Sequence, residues 1–199
     1  MVQVGTAPGA AAELDPRVER SRRVILGAVL DELGEVGYGA LTIEAVAARA
    51  GVGKSTIYRH WPGKLELVED AFRTLKAPVA VPDQGSLRDR VIAVVEQVAC
   101  LVAESTYSNC MPALIDAAER DPNVRDFHSR FSAERRDALV GLLRDAVQTG
   151  ELPPTTDPEL LADALVGPIL LRRLMLAQPV GPEIAPALVD QLLPAASVR

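Results

Sequence analysis

Metal- and redox-competent side chains are scarce in this chain, with two cysteines and two histidines among 199 residues. Cys100 and Cys110 cannot build a disulfide framework and lack the short paired spacing of a metal site. They read as small buried hydrophobes. His60 and His128 are the only imidazoles, and no nucleophile–base set gathers around either. Gly51 to Thr56 (GVGKST) has the Gly-Lys-Ser/Thr close of a phosphate loop, but the four-residue gap required before it is missing. No catalytic, metal or cofactor residue is therefore expected. Apolar runs stay well short of the ~18–20 residues of a membrane span. The opening MVQVGTAPGAAAELD has neither the basic start nor the apolar run of a secretory leader. A cytoplasmic protein without membrane contact is expected.

Aromatics are only 4% of the chain, and no strand-like alternation of β-branched residues stands out. Ala, Leu, Glu and Arg are abundant instead. The expected class is all-α, with about nine helices. Net charge is −6, which taken alone argues against a nucleic-acid partner. The charge is unevenly placed, however. Residues 13–76 carry ten Lys/Arg and ten Asp/Glu, so the whole excess of acid lies in the remainder. Arg17, Arg20, Arg22, Arg23, Lys54, Arg59 and Lys64 can form a local basic surface, and a patch matters more than the sum.

The most informative stretch is Leu41 to Lys64, LTIEAVAARAGVGKSTIYRHWPGK. Thr42 is placed to cap a helix whose Ile43, Val46, Ala47 and Ala50 share one face. Gly51 stops it. A second helix over Lys54–Trp61 is too short to stand alone, so Ile57 and Trp61 must anchor it beside Val46 and Val52. That leaves Lys54, Ser55, Thr56, Tyr58, Arg59 and His60 outward or on the flanks, a set suited to phosphates and base edges. Such a helix-turn-helix places its second helix in the major groove.

Around it, Asp15-Pro16 starts a helix ending near Gly37, and Lys64–Leu75 forms a linking helix lined by Leu65, Val68, Phe72 and Leu75. Residues 1–14 read as a disordered arm, 15–62 as the DNA-binding domain, and 63–199 as a second domain whose linking helix spans 64–76. Ser86 to Asp89 has capping-box spacing and opens a central helix to about Ser105. Tyr107–Asn109 reads as a turn before a short helix beginning at Met111-Pro112. Asp121-Pro122 and Asp157-Pro158 each start a helix, the first ending at Gly150. The second should kink or re-route locally at Gly167-Pro168, and a last helix follows from about Pro182 to Leu193. The final two helices carry enough apolar surface to suggest a homodimer interface.

The run from Leu41 to Lys64 resembles the helix-turn-helix signature of the tetracycline-repressor (TetR) family of bacterial transcriptional regulators. GELPPTTDPELLADALVGPILLRRL, near the C-terminus, is similar to that family's ligand-binding domain, more weakly. Gly53 departs from the family pattern, which often has Ser there. The resemblance implies a homodimer that binds operator DNA through three N-terminal helices and a small effector through the rest. Position by position, it puts Lys54, Ser55, Tyr58 and Arg59 at base- or backbone-reading positions. It puts Thr42, Thr56, His60 and Lys64 at phosphate-contact positions, with Ile57 and Trp61 structural.

The expected function is a repressor released from double-stranded operator DNA by a small lipophilic effector. Pocket walls are expected from Phe72, Val98, Leu101, Met111, Leu114, Ile115, Phe127, Phe131 and Leu165, with Tyr107, Asn109, Cys110 and His128 as polar contacts. The alternative is a DNA-independent helical interaction protein with a vestigial helix-turn-helix. The intact Lys54, Tyr58, Arg59 and Lys64 weigh against it.

Overall fold

The computed structural model describes residues 16–75 and 79–193, except for the side chains of residues 16, 17 and 105. The expected N-terminal arm, Lys76 at the close of the linking helix, and Arg17's side chain lie outside the described residues. Within them the chain is helical without strands: α1 (Pro16–Ala40), α2 (Ile43–Ala50), α3 (Lys54–Tyr58), α4 (Lys64–Thr74), α5 (Leu87–Ala103), α6 (Ser105–Ala118), α7 (Pro122–Thr149), α8 (Pro158–Leu170) and α9 (Ile184–Leu192).

Local signals set most of these boundaries. The Thr42 hydroxyl accepts from the Ala45 N–H at 3.1 Å. Ser86 and Asp89 close the reciprocal capping box, and Asp157 accepts from the Glu159 and Leu160 N–H groups. α1 is broken at Gly37, whose φ of 77° is not helical. Gly51 takes the left-handed conformation, φ 67°, that a side chain would strain. Its N–H and that of Val52 then bond back to Ala48 and Ala47, which ends α2 and turns the chain toward α3.

Three expectations need correction. α3 ends at Tyr58 rather than Trp61, and Arg59 and His60 complete it as a turn. Pro62 disfavours helical backbone at Trp61, whose ring must in any case swing into the core. The expected turn at Tyr107–Asn109 is instead the opening of α6, which leaves α5 at 81° and continues through Pro112. Tertiary packing overrides local propensity here. Tyr107 and Cys110 are buried, and the Cys110 thiol donates to the Leu30 carbonyl of α1 at 3.2 Å. α8, expected to kink or re-route at Gly167-Pro168, takes the second course: just after Pro168 it widens into a π-helical turn, Leu171–Met175, closed by Leu176 N–H to Leu171 C=O at 3.0 Å. Finally, Cys100 is exposed rather than buried, and only Cys110 is a core residue.

A continuous core joins the elements. α1 packs on α2, α4 and α6, while α5 lies among α6, α7, α8 and α9. α4 and α7 meet through Phe72, Phe127 and Phe131, whose ring centroids lie 5.4–5.9 Å apart. Burying such rings is among the larger single contributions to a core. No single helix among the described residues is long and apolar enough to cross a membrane.

Candidate nucleic-acid interface and effector cavity

α3 has five residues and cannot persist by its own hydrogen bonds. Two side chains hold it. Ile57 is fully buried, as are Val46 and Leu41 around it. Trp61 is 3% exposed and donates from Nε1 to the Asp70 carboxylate on α4 at 3.0 Å. Asp70 is itself buried and also accepts from Arg22 of α1, whose guanidinium lies over the Trp61 ring. One carboxylate thus joins α1, α4 and the end of the α3 turn. Asp70 went unnoticed in the sequence; Trp61 followed nine residues later by an acid inside a helical stripe was the available signal.

With the inner side fixed, the outer side is determined. Lys54, Ser55, Tyr58, Arg59 and His60 are exposed, Tyr58 by 53%, and Thr56 is half-buried. Thr42 is exposed at the start of α2. Lys54 pairs with Glu44 at 2.9 Å, which holds the Glu44 carboxyl below its ordinary range and raises the Lys54 ammonium. Both partners are well exposed, so the pair stabilises little and can be exchanged for a phosphate. Two expected basic residues are committed elsewhere. Arg22 is taken by Asp70. Lys64 is half-buried over the Tyr38 ring, and donates to the Tyr38 and Leu41 carbonyls at 2.9 and 3.3 Å. Its ammonium fastens α4 to the corner between α1 and α2, leaving one N–H direction for a phosphate.

Gly53 caps α3 with extended backbone, φ −73°, and no side-chain hydrogen bond. A β-carbon there would lie 3.6 Å from Ser55 Oγ, an ordinary contact. Gly53→Ser is therefore expected to stabilise the chain by a few tenths to about 1 kcal/mol, through the added cap and a less flexible unfolded chain. A urea midpoint lower than wild type would contradict this.

A cavity of about 910 Å³ lies among α4, α5, α7 and α8. It only partly matches expectation. Val98, Leu101 and Tyr107 line it; the other expected residues do not. Phe72, Phe127 and Phe131 fill space with one another, and Met111, Leu114, Cys110 and Leu165 are buried core. Ile115 and Asn109 face outward. His128 is half-buried away from the cavity, with burial pushing its pKa below the ordinary value. Helical periodicity separates buried from exposed but cannot say which buried face borders a void. The lining also includes polar groups that the sequence did not mark: Glu96, Gln97, Glu104, Arg135, Arg136 and Asp163. Thr74 and Leu75, at the end of α4, form part of the same wall.

Comparison with known proteins matches this arrangement. Residues 25–71 fit the family model described as bacterial regulatory proteins, tetR family, and residues 81–192 fit the tetracyclin repressor-like C-terminal domain. The HTH-type transcriptional regulator YdeS of Bacillus subtilis is 34% identical over 162 residues, 80% of this chain and 81% of YdeS. The DNA-binding transcriptional repressor TetR of Mycobacteroides abscessus is 31% identical over 180 residues, covering 89% and 94%. The crystal structure of the B. subtilis regulator FadR in complex with stearoyl-CoA shares the fold, with TM-score 0.69 and 15% identity over 86% of this chain and 97% of that one. By its N-terminal helix-turn-helix, its C-terminal domain and its curated relatives, this chain belongs to the TetR family of transcriptional regulators.

Proposed function

We propose that the chain is a homodimeric repressor that binds operator DNA through α3 and lets go when a small molecule fills the cavity behind α4. The observation that carries this reading is the position of α4. Its Asp70 holds Trp61 and hence α3, while Thr74 and Leu75, one turn further on, wall the cavity. A ligand that shifts the end of α4 therefore acts on the element that aims the recognition residues. Tyr58 and Arg59 read base edges, Lys54 and Ser55 read bases or clasp phosphates, and Thr42, Thr56, His60 and the remaining N–H of Lys64 contact phosphates.

Pairing of two copies is best served by α8 and the π-helical turn. Leu160, Leu171, Met175 and Leu176 are 50–76% exposed there, an apolar surface of the kind that symmetric dimers cover. α9 is largely spent within the subunit, lying along α5 with Asp190 paired to Arg88 at 2.6 Å. This puts the first of the last two helices, and the turn that follows it, at the centre of the proposed interface.

The ligand step is tested by a thermal-shift screen, followed by fluorescence polarisation on a labelled duplex from upstream of the gene. Compounds that raise the melting temperature are expected to weaken DNA binding about 5–150-fold, the range of a coupling of about 1–3 kcal/mol. Ligands that stabilise the protein yet leave DNA affinity unchanged would contradict the release mechanism.

A further inference from the structure

Arg135 is the most conspicuous group in the cavity. It projects from α7, with its guanidinium 5.3 Å from the centre of the Tyr107 ring and 5.2 Å from that of Phe131. Among the described residues it makes one hydrogen bond, a long one of 3.5 Å from Nη1 to the Leu75 carbonyl, and no ion pair. A guanidinium offers five donors in a planar fork suited to a carboxylate, and most of these are unused. Burial works against its charge and pushes its pKa down. Arg136, on the same wall, is held by Asp163 at 3.0 Å through Nη2, although its buried Nε has no partner among the described residues. The other acids of the lining are Glu96, half-buried on α5, and Glu104, exposed at its end. Glu104 attracts the guanidinium without forming an ion pair with it, and a half-buried cation so placed in a largely apolar lining gains from an anion brought in with its own apolar body.

We infer that the effector is an amphipathic organic acid, its apolar body in the cavity and its carboxylate received by Arg135. The inference rests on the release mechanism above and deepens it. Arg135's existing hydrogen bond ends on Leu75, the C-cap of α4. A carboxylate that takes over the guanidinium removes that tie at the end of the helix whose Asp70 positions Trp61. Recognition of the ligand and movement of α4 then begin at one side chain.

The test is calorimetric titration of the full chain with three probes of one length: decanoate, decan-1-ol and decylamine. Wild type is expected to bind decanoate at least tenfold more tightly than the alcohol, and the amine no better than the alcohol. Arg135→Gln should bring acid and alcohol within about twofold while still binding the alcohol, which shows the cavity intact. Arg135→Lys should retain most of the preference. Equal binding of acid and alcohol by wild type, tightest binding of the amine, or an undiminished preference in Arg135→Gln would each overturn the inference. If the alcohol binds as well as the acid, only the anionic ligand class falls. If neither binds, the cavity is not an effector site and the release mechanism falls with it.

Discussion

Tyr58→Ala and Arg59→Ala are each expected to lower affinity for operator DNA by roughly 30-fold to more than 10⁴-fold while leaving the fold unchanged. The magnitude follows from geometry. A side chain reading a base edge is worth about 1–3 kcal/mol. In a symmetric dimer each substitution is made at both half-sites, so about 2–6 kcal/mol is lost in all. Stability should hold because both side chains lie on the exposed outer side of the turn, while Ile57 and Trp61 bear the packing. Thr42→Ala is expected to behave differently. It removes a helix cap as well as a possible phosphate contact, so stability should fall by about 1 kcal/mol together with affinity. Polarisation titrations beside urea denaturation separate the two cases. If Tyr58→Ala and Arg59→Ala both bind like wild type, α3 is not the reading element.

Trp61→Ala is expected to destabilise the protein by about 3–5 kcal/mol, the usual cost of emptying a buried aromatic site. That is a large share of the roughly 5–15 kcal/mol that holds a typical domain together. Two milder changes isolate the polar part. Trp61→Phe keeps most of the apolar volume but removes the Nε1 donor to Asp70, and Asp70→Ala removes the acceptor while orphaning Arg22. Each should cost about 1–3 kcal/mol, because a buried bond to a charged group is lost. Arg22 is 44% exposed on its side chain, so water recovers part of its loss. All three variants should also weaken DNA binding under conditions where circular dichroism shows them folded, since α3 then has no fixed bearing. A Trp61→Ala protein with a wild-type urea midpoint would show that the clamp is not what holds α3.

What was legible in the sequence, and what was not, divides along physical lines. Caps and breakers act through the chain's own neighbours, so Thr42, Gly51, the Ser86–Asp89 box, Asp121 and Asp157 marked helix ends that the structure keeps. The Ile57–Trp61 anchor was equally plain, because a two-turn helix needs one. The failures involve groups whose partners are distant in sequence. The opening of α6 was read as a turn because what seats it, the Cys110 bond to Leu30, lies 80 positions away. Lys64 was legible as a phosphate contact but not as the residue that binds carbonyls of the α1–α2 corner, and Asp70, which joins three segments, drew no reading. The cavity suffered most. The phenylalanines expected to line it are packed against each other, and Arg135 and Arg136 of α7, which periodicity did not single out, line it instead.

The most direct measurement is guanine-N7 methylation interference on a duplex carrying the upstream region of the gene, with the wild-type protein. Major-groove reading by two α3 elements should place the interfering guanines in two clusters related by a two-fold axis. Their centres should lie one helical turn, about 34–36 Å, or a whole multiple of it apart. A protein that binds the duplex with no interference from N7 methylation, or with a single unpaired cluster, would show that it does not use paired recognition helices.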